Sequence, residues 1–502
     1  MSHEDSAIEG SQRELDRSLV SGMAWTGAFR WAAQAVSWAG TAVAARILTP
    51  ADYGLVGMAM LAIGLVRMVE DFGMDSILVQ DRTLDGQRQA KLAGFVLLTG
   101  IAFSALFFFL ARPIASFFHE PEVASLVAVL GLLCITDALQ VVSKALLQRQ
   151  MKFGLLAALQ FIQVLATQAI LVIGVLLGWG AWSLVFNVLG GAVLVTIVLL
   201  YVQPFVLRWP SGLSDLSRPL LQGWRLLASR FAWYGYSSAD QTIIGRFLGK
   251  DALGTYSFAM TFSTTVSQEF TAVVSKVVPG VFSRVQDRSL DLRRYFSLLT
   301  DLLCLVTFPV CLGTAVVADL LVAVVLGPQW GMVVAPLRLL CVYAAYYSSQ
   351  VLFGHVLMWT GRFRANMWCS LLAMIFIPIC LYIGSRWGLA GIAWAWVIAL
   401  PLANIPAFVI VFRILNITVW HWLADLLPAL AASLVMVLAV SGVRGILPAD
   451  INAAYALLCL VSVGAAVYAL TLWLLFRQRL MKHVAFVNTL RKSPTVSDLR
   501  SI

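Results

Sequence analysis

Charged residues are scarce in this chain. They make up 12% of its 502 residues, against about 25% in soluble globular proteins. The segment GRFLGKD (245–251) has the Gly-Lys pair of a phosphate-binding loop, but its spacer is only three residues long and no Ser or Thr follows the lysine. The chain has no H-E-x-x-H pattern and no nucleophile elbow. These absences exclude a soluble enzyme, a single-chain ATP-driven pump and a nucleic-acid-binding protein.

Cysteine pairs and an export signal are also missing. The seven cysteines all fall in apolar runs and none forms a C-x-x-C pair, so we interpret them as small core residues without a redox or metal role. A signal peptide begins with a basic region, whereas the stretch before Val20 is rich in Asp and Glu. We therefore predict a cytoplasmic N-terminal tail, no metal site and no cofactor.

Long apolar runs are what the chain does have, since 60% of its residues are hydrophobic. A helix needs about 20 such residues to cross the hydrocarbon core, and in lipid only a helix or a closed barrel satisfies its own backbone. The alternation of a barrel strand is absent. The sequence thus predicts an all-α polytopic membrane protein with fourteen transmembrane helices. The spans lie near 23–45, 53–79, 91–112, 121–147, 155–178, 180–203, 220–247, 252–282, 295–325, 332–360, 364–385, 388–412, 420–443 and 452–477.

The basic residues predict how the chain is threaded. Lys and Arg are concentrated in the two tails and in the connections that follow even-numbered spans. By the positive-inside rule, these segments face the cytoplasm. Both termini are therefore expected on the cytoplasmic side, which agrees with an even number of spans.

Spans 1–6 and spans 7–12 read as two copies of one unit. Four landmarks recur in the same order, with offsets between 200 and 210 residues. Six crossings bring both copies into the membrane in the same direction, as in the parallel repeats of some transporters. The paired landmarks are ARILTPADYGLVGMA (45–59) with GRFLGKDALGTYSFA (245–259), VQDRTLD (79–85) with VQDRSLD (285–291), Gln140-Val141 with Gln350-Val351, and Trp179-Gly180 with Trp387-Gly388.

This repeat sets the predicted domain boundaries. The segment that joins the two copies is rich in Pro, Gly and Ser, as expected of a linker. Spans 13 and 14 follow the second copy as an addition. The predicted regions are a cytoplasmic tail (1–20), an N-lobe (21–203), a linker (204–219), a C-lobe (220–413), the two extra spans (414–478) and a cytoplasmic C-terminal tail (479–502).

Several loop and turn segments resemble those of the polysaccharide transporter, or Wzx-type, flippases. These segments are RILTPADYGL (46–55), DFG (71–73), DQTIIGRFLGKDALGTY (240–256) and FSRVQD (282–287). The family belongs to the multidrug/oligosaccharidyl-lipid/polysaccharide exporter superfamily and is related to the lipid II flippase, with which it shares a 6+6+2 helix plan. These motifs are typical of the family, but they say little about which substrate is bound.

The resemblance implies a V-shaped pair of lobes in the bacterial inner membrane. Its substrate would be an undecaprenyl-diphosphate-linked oligosaccharide, a repeat unit of O-antigen, capsule or exopolysaccharide. Alternating access would carry this lipid from the cytoplasmic to the periplasmic leaflet. A polysaccharide polymerase and a chain-length regulator are the protein partners that it suggests, and nucleic acid is not a partner.

Arginines inside the spans are the candidate diphosphate ligands. A charge at mid-helix costs about 2.5–3.5 kcal/mol on insertion scales, so it marks a functional residue by default. Arg30 in span 1 has its counterpart at Arg230 in span 7, and Arg338 in span 10 is a third candidate. Guanidinium groups keep their charge and match phosphate oxygens in a fork. The alternative is that each arginine extends to the headgroups or pairs with an acid.

Other charged and aromatic residues are candidates for gating, coupling and sugar contact. Acidic residues in a cavity could couple transport to Na⁺ or H⁺, and no motif chooses between the two ions. Ion pairing at a helix end and ordinary helix packing are the alternatives for these residues. The gate or coupling candidates are Arg67, Glu70, Asp71, Asp75, Asp240 and Glu269, and the sugar-stacking candidates are Trp25, Trp31, Trp38 and Tyr234.

Two rival functions remain at this stage. A membrane-bound sugar polymerase or ligase is expected to carry a sizeable outer loop with catalytic Arg or His, but the outer connections here are short. We therefore predict that the chain is not an enzyme. The closer rival is a cation-coupled multidrug or small-molecule antiporter of the same superfamily. The arginine pair Arg30 and Arg230 and the two extra spans argue against it.

Overall fold

The structure of the protein, a computed structural model, describes residues 32–70, 86–150, 152–209, 234–285, 289–448, 451–477 and 479. Within these ranges the chain forms helices and no strands, which confirms the predicted all-α class. The helices are α1 (32–47), α2 (Pro50–Glu70), α3 (Gly86–Phe118), α4 (Glu122–Leu130), α5 (Leu133–Arg149), α6 (Phe153–Leu176), α7 (Ala181–Val202), α8 (Ala239–Phe247), α9 (Lys250–Val285), α10 (Ser289–Val316), α11 (Ala318–Val325), α12 (Val334–Trp359), α13 (Phe363–Ser385), α14 (Gly388–Leu415), α15 (Val419–Ile446) and α16 (Ala453–Leu475).

Ten of the fourteen predicted spans are confirmed as apolar helices of membrane-spanning length. They correspond to spans 3–6 and 9–14, so the chain is a multi-pass membrane protein. The other four predicted spans coincide with α1, α2, α8 and α9, which are helical in their described parts. The count of fourteen stays a prediction, because residues 1–31, 71–85 and 210–233 lie outside the described ranges.

Short capping motifs determine where the helices begin. At the start of α2, Thr49 and Asp52 form a capping box, in which the backbone N–H of Thr49 donates to Asp52 Oδ2 (2.9 Å) and that of Asp52 donates to Thr49 Oγ1 (3.3 Å). Pro50 lies in the first helical position, where no intrahelical N–H is needed. Asn452 caps α16 by accepting a hydrogen bond from the backbone N–H of Ala454.

The chain divides into two compact units. Unit 1 comprises residues 1–234 and 245–254. Small side chains bring α3 and α5 close together in its core, as is common between helices in lipid. A second cluster joins α5, α6 and α7. The first cluster contains Leu92, Ala93, Val96, Ala138, Val142 and Ala145, and the second contains Leu147, Leu159, Val195 and Leu199.

Unit 2 comprises residues 235–244 and 255–502. Helix α10 packs against α12 and α15, and α15 packs against α16. Val317, directly after α10, forms an apolar cluster with Met436 and Val440 of α15 and Leu460 of α16, which attaches the last two helices at that end of α10. The short segment 245–254, which joins α8 to α9, belongs to unit 1 although both of its neighbours in sequence belong to unit 2.

Candidate functional site

Some of the candidate residues lie within the described part of the structure, and others lie outside it. Glu70 ends α2, but its side chain is outside the described part of the structure. The predicted roles of these residues stay predictions. The candidates outside the described residues are Arg30 and Arg230 for the diphosphate, Trp25 and Trp31 for sugar, and Asp71 and Asp75 for gating.

Arg67 forms an ion pair inside unit 1. Its Nη2 lies 2.5 Å from Asp137 Oδ2, which joins α2 to α5. One turn further along α5, Gln140 donates from Nε2 to Thr196 Oγ1 on α7 (3.0 Å) and accepts from Lys144 Nζ (2.7 Å). A polar layer therefore connects three helices of this unit. Helical periodicity relates residues three or four positions apart on one helix, so it could not identify a partner of Arg67 on another helix.

Asp240 lies at the centre of a buried polar cluster in unit 2. Its carboxylate is 1% exposed and accepts hydrogen bonds from Tyr256 Oη (2.7 Å), Trp396 Nε1 (3.1 Å) and the backbone N–H of Gln241 (2.7 Å). The ring of Tyr343 lies 5.0 Å from that of Trp396. Neutral donors from α9 and α14 thus surround a carboxylate that begins α8. Among the described residues, no basic side chain forms an ion pair with it.

This arrangement is chemically distinctive because a buried carboxylate usually pairs with a cation. Three hydrogen-bond donors stabilise the charged form without neutralising it. Such a group can take up a proton or hold a small cation, which is the property expected of a coupling residue. The sequence identified Asp240 as a candidate, but it gave no signal for Tyr256 or Trp396, which lie 16 and 156 residues away.

Two aromatic candidates lie within the described residues. Tyr234 packs against α2, where its hydroxyl donates to the carbonyl of Leu61 (2.8 Å) and occupies the space that a side chain at Gly64 would need. Its hydroxyl is thus engaged by the protein. Trp38 on α1 is 49% exposed, so its ring is accessible. Glu269 is half-buried on α9.

Arg338 belongs to a cluster of ion pairs in unit 2, beside the last turn of α15. Its Nη2 lies 3.4 Å from Asp319 Oδ1, and Arg444 pairs with both oxygens of the same carboxylate. Asp319 begins α11, beyond the apolar span that ends at Val316. Burial acts to raise the pKa of Asp319, but the hydrogen bonds to its carboxylate and the charges of Arg444 and Arg338 together outweigh burial and lower that pKa. The structure therefore gives Arg338 a partner that a substrate would have to replace.

A groove between α13 and α14 has a volume of about 460 Å³. Gly384 and Gly391 bring the two backbones together there, because a Cβ at either position would lie within 2.6 Å of the carbonyl oxygen of the other. The lining side chains, which include Trp387 and Trp394, carry no charge. This groove cannot bind a diphosphate through ion pairs. Across the described ranges, no group of three or more His, Cys, Asp or Glu side chains could hold a metal ion.

Known proteins resemble this chain in both sequence and fold. Residues 43–335 match the family described as "Polysaccharide biosynthesis protein". An uncharacterized membrane protein in the cps region of Klebsiella pneumoniae is 23% identical over 457 residues, which cover 88% of this chain and 94% of that protein. The lipopolysaccharide biosynthesis protein WzxC of Escherichia coli is 23% identical over 378 residues, which cover 74% of this chain and 76% of WzxC.

The fold is that of a solved flippase. The lipid II flippase MurJ in an inward closed conformation superposes with a TM-score of 0.74, covering 90% of this chain and 99% of its own, at 14% sequence identity. These matches confirm the resemblance to the Wzx-type flippases, and with it the prediction of a transporter rather than an enzyme. Because the matched residues make up more than half of the chain, the protein belongs to the family of polysaccharide biosynthesis proteins.

Proposed function

We propose that the protein moves an undecaprenyl-diphosphate-linked oligosaccharide from the cytoplasmic to the periplasmic leaflet of the bacterial inner membrane. The observation that carries this proposal is the family match over residues 43–335 together with the flippase fold. The product would be a repeat unit of O-antigen, capsule or exopolysaccharide. We also propose cytoplasmic termini, because Lys and Arg are concentrated in the tails and the even-numbered connections.

Matching contacts in the two halves support the proposed parallel repeat. In unit 1, Gln140 on α5 bonds to Thr196 on α7. In unit 2, Gln350 on α12 accepts a hydrogen bond from Asn404 on α14 (3.0 Å). The two pairs join the fourth predicted span to the sixth in each half, and their positions are offset by 210 and 208 residues. Alternating access between two such lobes is the mechanism that we propose.

Further matches occur at the ends of the helices. The backbone N–H of Lys152 before α6 donates to the carbonyl of Leu147, and that of Arg362 before α13 donates to the carbonyl of Leu357. The chain therefore turns from the fourth span into the fifth in the same way in both halves. The next turn also recurs, since Gly180 and Gly388 both have a positive φ, of 55° and 70°.

Within this mechanism, Arg30 and Arg230 are proposed to bind the diphosphate, with Arg338 as a third contact. Trp25, Trp31, Trp38 and Tyr234 are the proposed sugar contacts. Asp240 is the coupling residue that we favour among the acidic candidates, because it is buried and held by neutral donors. The coupled ion, Na⁺ or H⁺, and the partner polymerase and chain-length regulator belong to the proposal as well.

Binding to an isoprenoid diphosphate tests the function directly. The purified protein in lipid nanodiscs should bind undecaprenyl diphosphate, and a lipophilic cation should not compete. The Arg30→Ala, Arg230→Ala double variant should lose this binding and the surface polysaccharide of the cell. A matched double variant, Arg149→Ala with Arg413→Ala, removes two exposed arginines of α5 and α14 and should bind normally.

Two results would contradict the proposal. Competition by lipophilic cations, without binding of isoprenoid diphosphates, would favour the antiporter function. Normal polysaccharide levels in the Arg30→Ala, Arg230→Ala variant would refute the site assignment while leaving the family membership intact.

A further inference from the structure

The apolar groove between α13 and α14 opens toward lipid. Both helices belong to unit 2 and are long and apolar enough to span the membrane. Only 28% of the most apolar stretch of α13 is buried. The large hydrophobic side chains at the edges of the groove are exposed, with Trp387 at 70%, Trp394 at 51% and Ile398 at 55%. The groove is therefore open to molecules that lie in the membrane.

The groove is about as long as one leaflet is deep. Its lining residues extend along α14 from Trp387 to Ala399. At a rise of about 1.5 Å per residue, this distance is about 18 Å, close to half of the hydrocarbon core, which is about 30 Å thick. A spanning helix of a protein partner would need a matching surface along the whole core. The groove instead matches the depth to which the acyl chains of one leaflet extend.

The volume of the groove also distinguishes between the possible occupants. A helix about 10 Å wide would fill roughly 1,400 Å³ over the same length, whereas the groove has a volume of about 460 Å³. Carbon atoms in contact are about 4 Å apart, so a methylene chain of that width needs only roughly 230 Å³. The groove therefore accommodates an acyl chain, while a helix of a second copy is too wide to lie within it.

Small residues form the floor of the groove, and tryptophans form its walls. A Cβ at Gly384 would lie 3.0 Å from the Cβ of Ala395, which shows how closely α13 and α14 approach each other there. Trp387 and Trp394 are seven residues apart, so they project from the same face of α14, two turns from each other. An extended chain on this floor would gain dispersion contacts with both indole rings.

An arginine marks the end of the groove at which the chain turns from α13 into α14. Arg386 directly precedes Trp387, is exposed, and forms no ion pair within the described ranges. Residues 320–424 contain no Asp or Glu. The first turn of α14 likewise has no acidic residue and adds the positive end of the helix dipole. This end of the groove is therefore electrostatically complementary to the phosphate of a lipid headgroup.

We propose that the groove is a phospholipid site, in which an acyl chain lies between α13 and α14 and the phosphate of an anionic headgroup binds Arg386. Under the threading proposed above, this arginine faces the periplasm, where basic residues are disfavoured. Arg338 and Arg444 on the same side share the carboxylate of Asp319, whereas Arg386 has the lipid phosphate as its counter-ion. The site is separate from the proposed transport of isoprenoid diphosphates and does not depend on it.

Photo-cross-linking tests the site in the whole protein. The probe is phosphatidylglycerol with a photoreactive diazirine in one acyl chain, present as a small fraction of phosphatidylcholine nanodiscs, and mass spectrometry locates the adducts. They should concentrate on residues 380–399. Arg386→Gln should reduce them about fivefold, and Ala390→Phe, which fills the groove from an exposed position, should reduce them as well. Arg364→Gln removes an exposed arginine at the other end of α13 and is the matched control, which should label normally.

Other outcomes would overturn the proposal. Undiminished adducts in Arg386→Gln would remove the headgroup contact, and equal adducts on α16, whose most apolar stretch is only 22% buried, would indicate bulk lipid. Displacement by undecaprenyl diphosphate, but not by unlabelled phosphatidylglycerol, would assign the groove to an isoprenoid chain. A disulfide-linked dimer that forms with Trp394→Cys and not with the wild type would assign it to a second copy.

Discussion

Substitution of Ala for Gly54 should separate α2 from α9 at the crossing of their first turns. The added Cβ would lie 1.8 Å from the carbonyl oxygen of Lys250, whereas an ordinary contact begins near 3.4 Å. The backbones must move apart by the difference, about 1.6 Å. The hydrogen bond from Lys250 to Glu120 is 3.1 Å long, and such bonds are lost beyond about 3.5 Å. The substitution is therefore expected to break this hydrogen bond as well.

The expected loss of stability combines two opposing effects. Replacement of Gly by Ala in a helix favours folding by about 1 kcal/mol, while overpacking at a close contact costs about 1–3 kcal/mol. Gly54→Ala should therefore destabilise the protein by up to about 2 kcal/mol. Gly57, one turn further along α2, is the matched control, since its Cβ would meet Leu253 at an ordinary 3.4 Å. Gly57→Ala keeps the gain in helix propensity without the clash and should be neutral or stabilising.

Thermal unfolding of the two purified variants in the same detergent measures this difference. Gly54→Ala should unfold at a midpoint a few degrees below that of the wild type, and Gly57→Ala at or above it. Leu253 is fully buried, so Leu253→Cys serves as a reporter. Its labelling by a membrane-impermeant maleimide should increase when Leu253→Cys is combined with Gly54→Ala, but not when it is combined with Gly57→Ala. Equal midpoints and equal labelling in the two variants would show that the backbone contact does not hold α2 against α9, and the reasoning would be refuted.

Asp240 gives a second prediction: Asp240→Asn should still bind the lipid diphosphate, but its transport should no longer respond to an imposed Na⁺ or H⁺ gradient, whereas Asp251→Asn, at an exposed acid, should respond normally. A retained response in Asp240→Asn would exclude it as the coupling residue. A third concerns Arg444→Met, which should lower stability at neutral pH by up to about 1 kcal/mol, a figure reduced because both partners of the ion pair are more than a third exposed. Because the pKa of Asp319 is lower in the folded protein, the pair contributes fully above the ordinary carboxyl pKa of about 3.9 and less as the pH falls through the lowered value. In acid, the difference from wild type in thermal unfolding should therefore shrink to the part that comes from the hydrogen bond of Arg444 to the Val316 carbonyl, and an undiminished difference there would contradict the ion pair as its main cause.

The apolar membrane-spanning helices could be predicted from the sequence, whereas the polar contacts between helices could not. An apolar run such as 388–412 is detectable because lipid selects hydrophobic side chains on nearly every face of the helix. Helix α9 has a sequence rich in Ser and Thr (TYSFAMTFSTTVSQEFT, 255–271). It is therefore less hydrophobic than the ten apolar helices of membrane-spanning length and is not one of them. Many of these hydroxyls donate to the backbone carbonyl one turn before them, as Thr264 does to Met260. Such bonds make a polar side chain tolerable in a helix, so composition alone underestimates this span.

The ion-pair and hydrogen-bond partners of the charged residues could not be predicted from the sequence. Helical spacing relates residues three or four positions apart on one helix. The contacts that matter here join different helices, as in the pairing of Arg67 with Asp137 and of Asp240 with Trp396. Turn geometry is a second limit, because no pattern in the sequence predicts the positive φ of 60° that His119 adopts directly after α3. A correct list of charged residues is therefore compatible with many different networks.

The paired amides show which polar residues in the spans are structural. Gln140 and Gln350 are both buried, and each bonds across to a polar side chain on the sixth span of its own half. Interhelical hydrogen bonds of this kind stabilise membrane proteins by about 0.6 kcal/mol on average, so they orient helices more than they hold them together. Both members of each pair satisfy one another, and a substrate would gain nothing by contacting them. Asp240 differs in this respect, since its carboxyl group is held by three neutral donors and, among the described residues, by no basic side chain. A carboxyl group buried in the interior without an ion-pair partner costs stability, and a function that uses the group is the simplest reason for its presence.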